Sequence, residues 1–208
     1  MNLNTLPTPV ISVGHTQVKI TIEQNDCPDR ELFSWTSKST NEKNIDSLSY
    51  EDIHKILRLA NSFNRFDWFL KIKSKCFGDL YWHALAYAYT DSDNLCEFRQ
   101  EAKAAFNSNQ PNKSALMTIE ESEFLKNLPQ RITIYRGMTL EEYESAEWSI
   151  SWTLNKEVAE FFCNGYTRNL KQNGMPKIVH NITIDKSKVV AYFNERNEHE
   201  IIYIHNVI

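Results

Sequence analysis

The spacing of apolar residues changes period twice along this chain. Thr16-Gln-Val-Lys-Ile-Thr-Ile22 alternates apolar and polar positions and predicts a half-buried strand. The polar stretch 37–47 after it predicts a loop or linker. From about 49 to 128 the period becomes helical. Ile53, Ile56, Leu57, Ala60 and Phe63 fall at i, i+3, i+4, i+7 and i+10, one helix face, and Ser49, three residues before Asp52, predicts its cap. Phe77, Leu80, Tyr81, Ala84 and Ala88 repeat the pattern, as do Leu95, Phe98, Ala102, Ala105 and Phe106. Thr118-Ile-Glu-Glu121 is a capping box for a short helix carrying Phe124, Leu125 and Leu128, which Pro129 stops.

Beyond Pro129 the period returns to two. Strands are predicted at Arg131–Arg136, Trp148–Thr153, Lys177–Ile184, Lys188–Phe193 and His199–Ile208. Thr139-Leu-Glu-Glu142 caps a brief helix between the first two. Asn155 caps another, with Glu157 in its first turn and Val158, Phe161 and Phe162 as its buried stripe. A helical block followed by short strands predicts an α+β fold rather than alternating βαβ units. The expected organisation is a flexible leader at 1–12, marked by Pro7, Pro9 and scattered Asn and Thr, ahead of one domain at 13–208. Within that domain the helical part runs about 49–128 and the strand-rich part about 131–208.

Composition narrows this picture. The 208 residues are 41% hydrophobic and include five Trp, nine Tyr and eleven Phe, enough bulk for a core without disulfides or a structural metal. The four cysteines (Cys27, Cys76, Cys96, Cys163) form no C-x-x-C pair, and the six histidines show no ligand spacing. Reduced structural thiols and no metal are the expectation. A net charge of −4 provides no global basic field for nucleic acid. No run of about 18 apolar residues exists, and residues 1–10 lack the basic start and apolar centre of a secretory signal. A cytoplasmic protein with no membrane partner is expected.

Glycine usage limits the chemistry. With only Gly14, Gly78, Gly137, Gly165 and Gly174, the chain has neither a P-loop nor a G-x-G-x-x-G turn. A bound dinucleotide would have to be held by side chains. Arg136, closing its strand, offers a planar guanidinium that can fork hydrogen bonds onto phosphate or ribose oxygens. Gly137, lacking a Cβ, would let a flat ring approach the backbone. Taken alone, the pair also fits a strand-end arginine and a turn glycine. Ser151 and Thr153, two apart on a strand, share a face, and Trp152 points the other way into the core. Glu198 and Glu200 are likewise placed on one side of a strand, about 6–7 Å apart by strand rise. They lead into Ile201-Ile202-Tyr203-Ile204, a run apolar on both faces that must be buried.

An arginine strand, a serine strand and an E-x-E strand entry, in that order, resemble the R-S-E class of mono-ADP-ribosyltransferases over about 131–208. The resemblance implies a split antiparallel β-sheet core preceded by a helical block, and NAD as co-substrate without a metal. It assigns Glu200 as the catalytic carboxylate, Glu198 as the acceptor-side one, Ser151 as a holder of the nicotinamide ribose, and Arg136 as the anchor for phosphates or adenosine ribose. It also implies that the Gly137 backbone pairs with the nicotinamide carboxamide, and Tyr135, Phe161 and Phe162 are candidates to pack on the ring. Trp152 departs from the small Thr that several members carry. The E-x-E form implies a protein arginine as acceptor, and a small enzyme of this kind fits a microbial or phage effector or toxin with a neutralising protein partner.

Three rivals remain open at this level. The same chemistry on an RNA or DNA base would use the basic run Lys55, Arg58, Arg65, Lys71, Lys73 and Lys75. An NAD glycohydrolase would use water alone, and a binding protein of the same fold would have no activity.

Overall fold

The computed structural model describes residues 10–13, 16–24, 31–37, 48–164 and 174–205. The chain divides into two compact units, Met1–Asp46 and Ser47–Ile208. In the first, β1 (Val10–Val13), β2 (Thr16–Gln24) and β3 (Glu31–Ser37) form an antiparallel sheet in the order β1-β2-β3. β2 contains the predicted alternating strand. The boundary differs from the expected leader at 1–12 and single domain at 13–208, because Val10 already pairs with Lys19 and the three strands hydrogen-bond to one another as their own ladder. Residues 1–9 of the expected leader, 38–47 of the expected linker and Cys27 lie outside the described residues.

The second unit opens with the helical block. α1 (Tyr50–Leu59) is capped by Ser49 through the predicted reciprocal box with Asp52. It buries Ile53, Ile56 and Leu57, and Ala60 follows at its C-cap. Phe63 does not extend that face. The helix stops at Leu59, the Asn61 side chain takes the N–H groups of Phe63 and Asn64, and Phe63 is left 56% exposed.

α2 (Arg65–Ile72), α3 (Asp79–Thr90), α4 (Arg99–Phe106) and α5 (Ile119–Asn127) follow, the last with the expected Thr118–Glu121 box. Phe77 also falls outside its predicted helix, ahead of Gly78, and is exposed. Part of the basic run is used internally. Arg65 donates to the carbonyls of Leu57, Ala60 and Asp91, closing the end of α1, while Lys71 pairs with Asp67 at 2.7 Å and Lys55 with Glu51 at 3.9 Å.

The strand-rich part contains β4 (Arg131–Thr139), α6 (Leu140–Ser145), β5 (Ser151–Thr153), α7 (Lys156–Asn164), β6 (Lys177–Asp185), β7 (Val189–Phe193) and β8 (Glu200–Tyr203). Its five strands make one antiparallel sheet, β6-β4-β5-β8-β7. The unit is α+β, as the change of period predicts. Ile132, Ile134, Met138, Trp152, Ile184, Tyr192, Ile201 and Tyr203 form a core cluster on this sheet. Each such apolar side chain contributes about 1.5–3 kcal/mol through burial. All four residues of β8 are buried, so the run that follows Glu198 is a central strand with no solvated face.

The ladder is uneven. β4 pairs with β6 along its whole length, from Arg131 opposite Asp185 to Thr139 opposite Lys177. Its register with β5 is the single pair Tyr135–Thr153. The sheet therefore parts between β4 and β5, at the place where the candidate residues lie. No helix among the described residues is long and apolar enough to cross a membrane.

Candidate active site

The residues that the family resemblance singles out, Tyr135, Arg136, Gly137, Ser151, Phe161, Phe162, Glu198 and Glu200, all line one cavity of about 540 Å³, whereas none of the basic run Lys55–Lys75 does. That volume lies within the range of small-molecule sites, roughly 300–1,000 Å³. The cavity sits where the sheet parts.

The β5–β8 register makes the central contact. Thr153 is opposite Glu200, and Ser151 is opposite Ile202, so Ser151 and Glu200 are diagonal neighbours on one face. Ser151 Oγ donates to Glu200 Oε1 at 2.5 Å. Glu200 is only 7% exposed, and burial raises its carboxyl above the ordinary 4.5. The Ser151 hydrogen bond and the charges of Arg196 and Arg136 oppose that rise, while Glu198 adds to it. From the helical block, Tyr89 of α3 reaches the same pair. Its hydroxyl is pushed well above 10 by burial and by Glu200, against a hydrogen bond with Ser151 and the charges of Arg136 and Arg196.

Glu198 is not on the strand. β8 begins at Glu200, and both Asn197 (φ 55°) and His199 (φ 48°) are left-handed. The alternation expected for Glu198 and Glu200 therefore does not apply, and the tight β7–β8 connection brings both carboxylates to the cavity instead. His199 is held in that uncommon conformation from four sides. Its N–H donates to Asn194 Oδ1 (3.1 Å), its carbonyl accepts from Leu154 N–H (3.0 Å), its Nδ1 is 2.8 Å from the Tyr192 hydroxyl, and its ring lies near Phe124. Thr153 Oγ1 also donates to the Glu198 carbonyl at 2.6 Å, so the third residue of Ser-Trp-Thr fixes the acidic turn. Glu198 itself accepts from Arg196 Nη2 at 3.1 Å.

Arg136 lines the cavity and is also held by protein groups. Its Nε donates to Glu142 Oε1 at 3.0 Å, and Nη1 donates to the Ser151 carbonyl at 2.6 Å, bridging the gap between β4 and β5. The guanidinium is a clamp across the opening, with one N–H on each of Nη1 and Nη2 beyond these bonds and the Nη2 contact with Glu142. Glu142 was read in the sequence only as part of a helix cap, yet its carboxylate is 4% exposed and also accepts from Ser149 N–H and Arg99. Burial pushes its carboxyl up, but Arg136, the Ser149 N–H and Arg99 together bring it below 4.5.

Gly137 likewise answers to packing. A Cβ there would lie 2.4 Å from the Ala159 carbonyl and 2.7 Å from the Cys163 nitrogen, so the missing side chain admits the backbone of α7. The buried face of α7 is correspondingly Ala159 and Cys163. The predicted stripe of Val158, Phe161 and Phe162 faces the cavity, with Phe161 56% exposed. Asn155 does cap this helix, accepting from Glu157 N–H at 2.9 Å.

Arg99, Lys177 and Arg196 are further cations on the cavity wall, and Asp93 is a further acid. Arg99 Nε is buried without a hydrogen-bond partner among the described residues. Neither Tyr89, Arg99 nor Lys177 carries a local sequence signal of a site. Each is an ordinary helix or strand residue until the helices close over the sheet. Cys76 and Cys163 are buried and Cys96 is half-buried on the wall. Among the described residues, no group of three or more His, Cys, Asp or Glu is placed to hold a metal. No family model matches the chain, and neither a curated protein nor a solved structure matches it.

Proposed function

We propose that the chain is a mono-ADP-ribosyltransferase that cleaves the nicotinamide–ribose bond of NAD and passes ADP-ribose to an arginine. The observation that carries this reading is the Ser151–Glu200 hydrogen bond inside a cavity that also holds Arg136 and Glu198. The parting of the sheet beside Arg136 is consistent with the split core of that family.

Nicotinamide attached through its ring nitrogen is a cationic leaving group, and its departure leaves positive charge on the ribose, as in glycoside cleavage. Glu200, buried and oriented by Ser151, supplies the negative charge that stabilises this transition state and accepts a hydrogen bond from the ribose 2′-hydroxyl. Arg136 holds β4 and β5 at the distance that keeps Ser151 in place. Arg99 and Lys177 on the same wall add positive charge for the pyrophosphate beside Arg136. Phe161 and Phe162 offer aromatic surface for the nicotinamide ring. Glu198 steers the acceptor and takes its proton.

Release of free nicotinamide from NAD by the purified protein tests this directly. Glu200→Gln is expected to slow it by about 10²–10³-fold, the scale of removing one preorganised electrostatic group. Unchanged release in that variant would end the assignment. Labelled adenylate appearing on lysate protein, on RNA, or on neither separates arginine transfer from base transfer and from plain hydrolysis.

A further inference from the structure

The position expected to receive an acceptor guanidinium already contains one. Arg196 Nη2 lies 3.1 Å from Glu198 Oε2, and Arg196 borders the same cavity as Glu200. The side chain is 47% exposed, so it is not a structural ion pair sealed in the core. Its charge also reaches Glu200 and Tyr89. The backbone beneath it is fixed. Asn197 N–H donates to the Asn194 carbonyl (3.0 Å), Asn194 N–H donates to Glu121 (2.9 Å), and Thr153 holds the carbonyl of Glu198. Arg196 is therefore a long flexible side chain on a rigid turn, two residues from the carboxylate that would activate it.

Resting on the transferase reading, we propose that Arg196 is an acceptor built into the enzyme, and that the chain ADP-ribosylates itself there. In the step, a guanidinium nitrogen of Arg196 forms a bond to the anomeric carbon of the ribose as the bond to nicotinamide breaks. Nicotinamide leaves as a neutral molecule with that electron pair, and the proton lost from the guanidinium passes to Glu198 and then to water. Until then Arg196 competes with outside acceptors for Glu198. Once modified, its bulk obstructs the acceptor seat and leaves the enzyme self-limiting.

The full chain is incubated with NAD at a series of protein dilutions, and free nicotinamide and protein mass are followed together. The expected result is one added ADP-ribose, mapped by fragmentation to Arg196, at a rate per molecule independent of protein concentration. Arg196→Lys and Arg196→Gln should both lose the added mass. Arg196→Gln, which removes the cation, should also transfer to free arginine roughly three- to fivefold faster, the scale of removing one exposed ion pair, whereas Arg196→Lys keeps a cation beside Glu198 and should gain less. Nicotinamide release without added mass, or with the mass on another residue, would overturn the self-acceptor while leaving the transferase reading intact. So would loss of NAD affinity in both Arg196 variants together with an unlabelled wild type, which would mark Arg196 as a phosphate ligand. No nicotinamide from any form would remove the parent reading and this one with it.

Discussion

Arg136 and Glu142 form a two-point contact, Nε to Oε1 at 3.0 Å and Nη2 to Oε2 at 3.4 Å, that determines where the arginine points. Strand β4 delivers Arg136, and the first turn of α6 delivers Glu142, whose own N–H is held by Thr139 Oγ1. The pair is nearly closed to solvent on the glutamate side, 3% against 17% for the arginine. Glu142→Ala leaves that guanidinium partly buried without its counter-charge and should cost about 3 kcal/mol, the lower end for breaking a buried pair. Chemical denaturation measures it. A loss under half a kilocalorie would mean that the pair is solvent-screened and that Ser151 alone holds Arg136.

The same pair has a pH signature. Glu142's carboxyl lies below 4.5 in the folded protein, so its contribution to stability is present above the unfolded value and is lost as pH falls through the folded one. Thermal unfolding of wild type and Glu142→Gln should therefore differ most above about pH 5 and converge in acid. Parallel curves down to the lowest pH reached would contradict the assignment.

Glu200 runs the other way. Its carboxyl is raised, so the folded state holds the proton more tightly than the unfolded chain does. Its contribution is fullest below the unfolded 4.5 and declines as pH rises through the higher folded value. Glu200→Gln, which keeps an oxygen for Ser151, is thus expected to raise the melting temperature near neutral pH and to change little in acid, while NAD cleavage slows by about 10²–10³-fold. Activity of the wild type should fall on the acid side at a pH above the ordinary carboxylate range. A variant less stable than wild type at neutral pH would show that the charge is compensated.

Gly137→Ala sets a Cβ against the backbone of α7, which cannot move aside as a side-chain tip would. The expected loss is about 1–3 kcal/mol from overpacking. Gly174→Ala serves as the comparison, because among the described residues no atom beyond its chain neighbours lies within 4 Å of a Cβ there, and its φ of 79° alone is strained. A Gly137→Ala midpoint equal to that of the wild type would show that α7 shifts without penalty.

Tyr89→Phe removes only a hydroxyl beside Ser151 and Glu200 and keeps the ring packing against Phe66 and Phe106. We expect about a tenfold lower kcat for NAD cleavage, the worth of one hydrogen bond. KM and the unfolding midpoint should stay close to wild type. A change confined to stability would make Tyr89 a core residue only.

The sequence by itself determined the periods. The helical spacing around Ile53 and Leu57, the caps at Ser49 and Thr118, and the doubly apolar run after Glu200 depend on contacts within a few residues, and they fold as local chemistry dictates. It also brought Tyr135, Arg136, Ser151, Glu198 and Glu200 forward as a set, because short polar motifs at the edges of buried strands are visible in the pattern itself. Tertiary structure decided which partners each residue meets. Arg136 is committed to Glu142 and Ser151, Gly137 makes room for Ala159 and Cys163, and the acidic pair reaches the cavity through two left-handed residues rather than strand alternation. Tyr89, Arg99 and Arg196 join the cavity wall from elements far apart in the chain. A guanidinium, a carboxylate or a missing Cβ has no assigned partner until distant segments meet, and pairing energies between such segments leave no periodicity for the sequence to display.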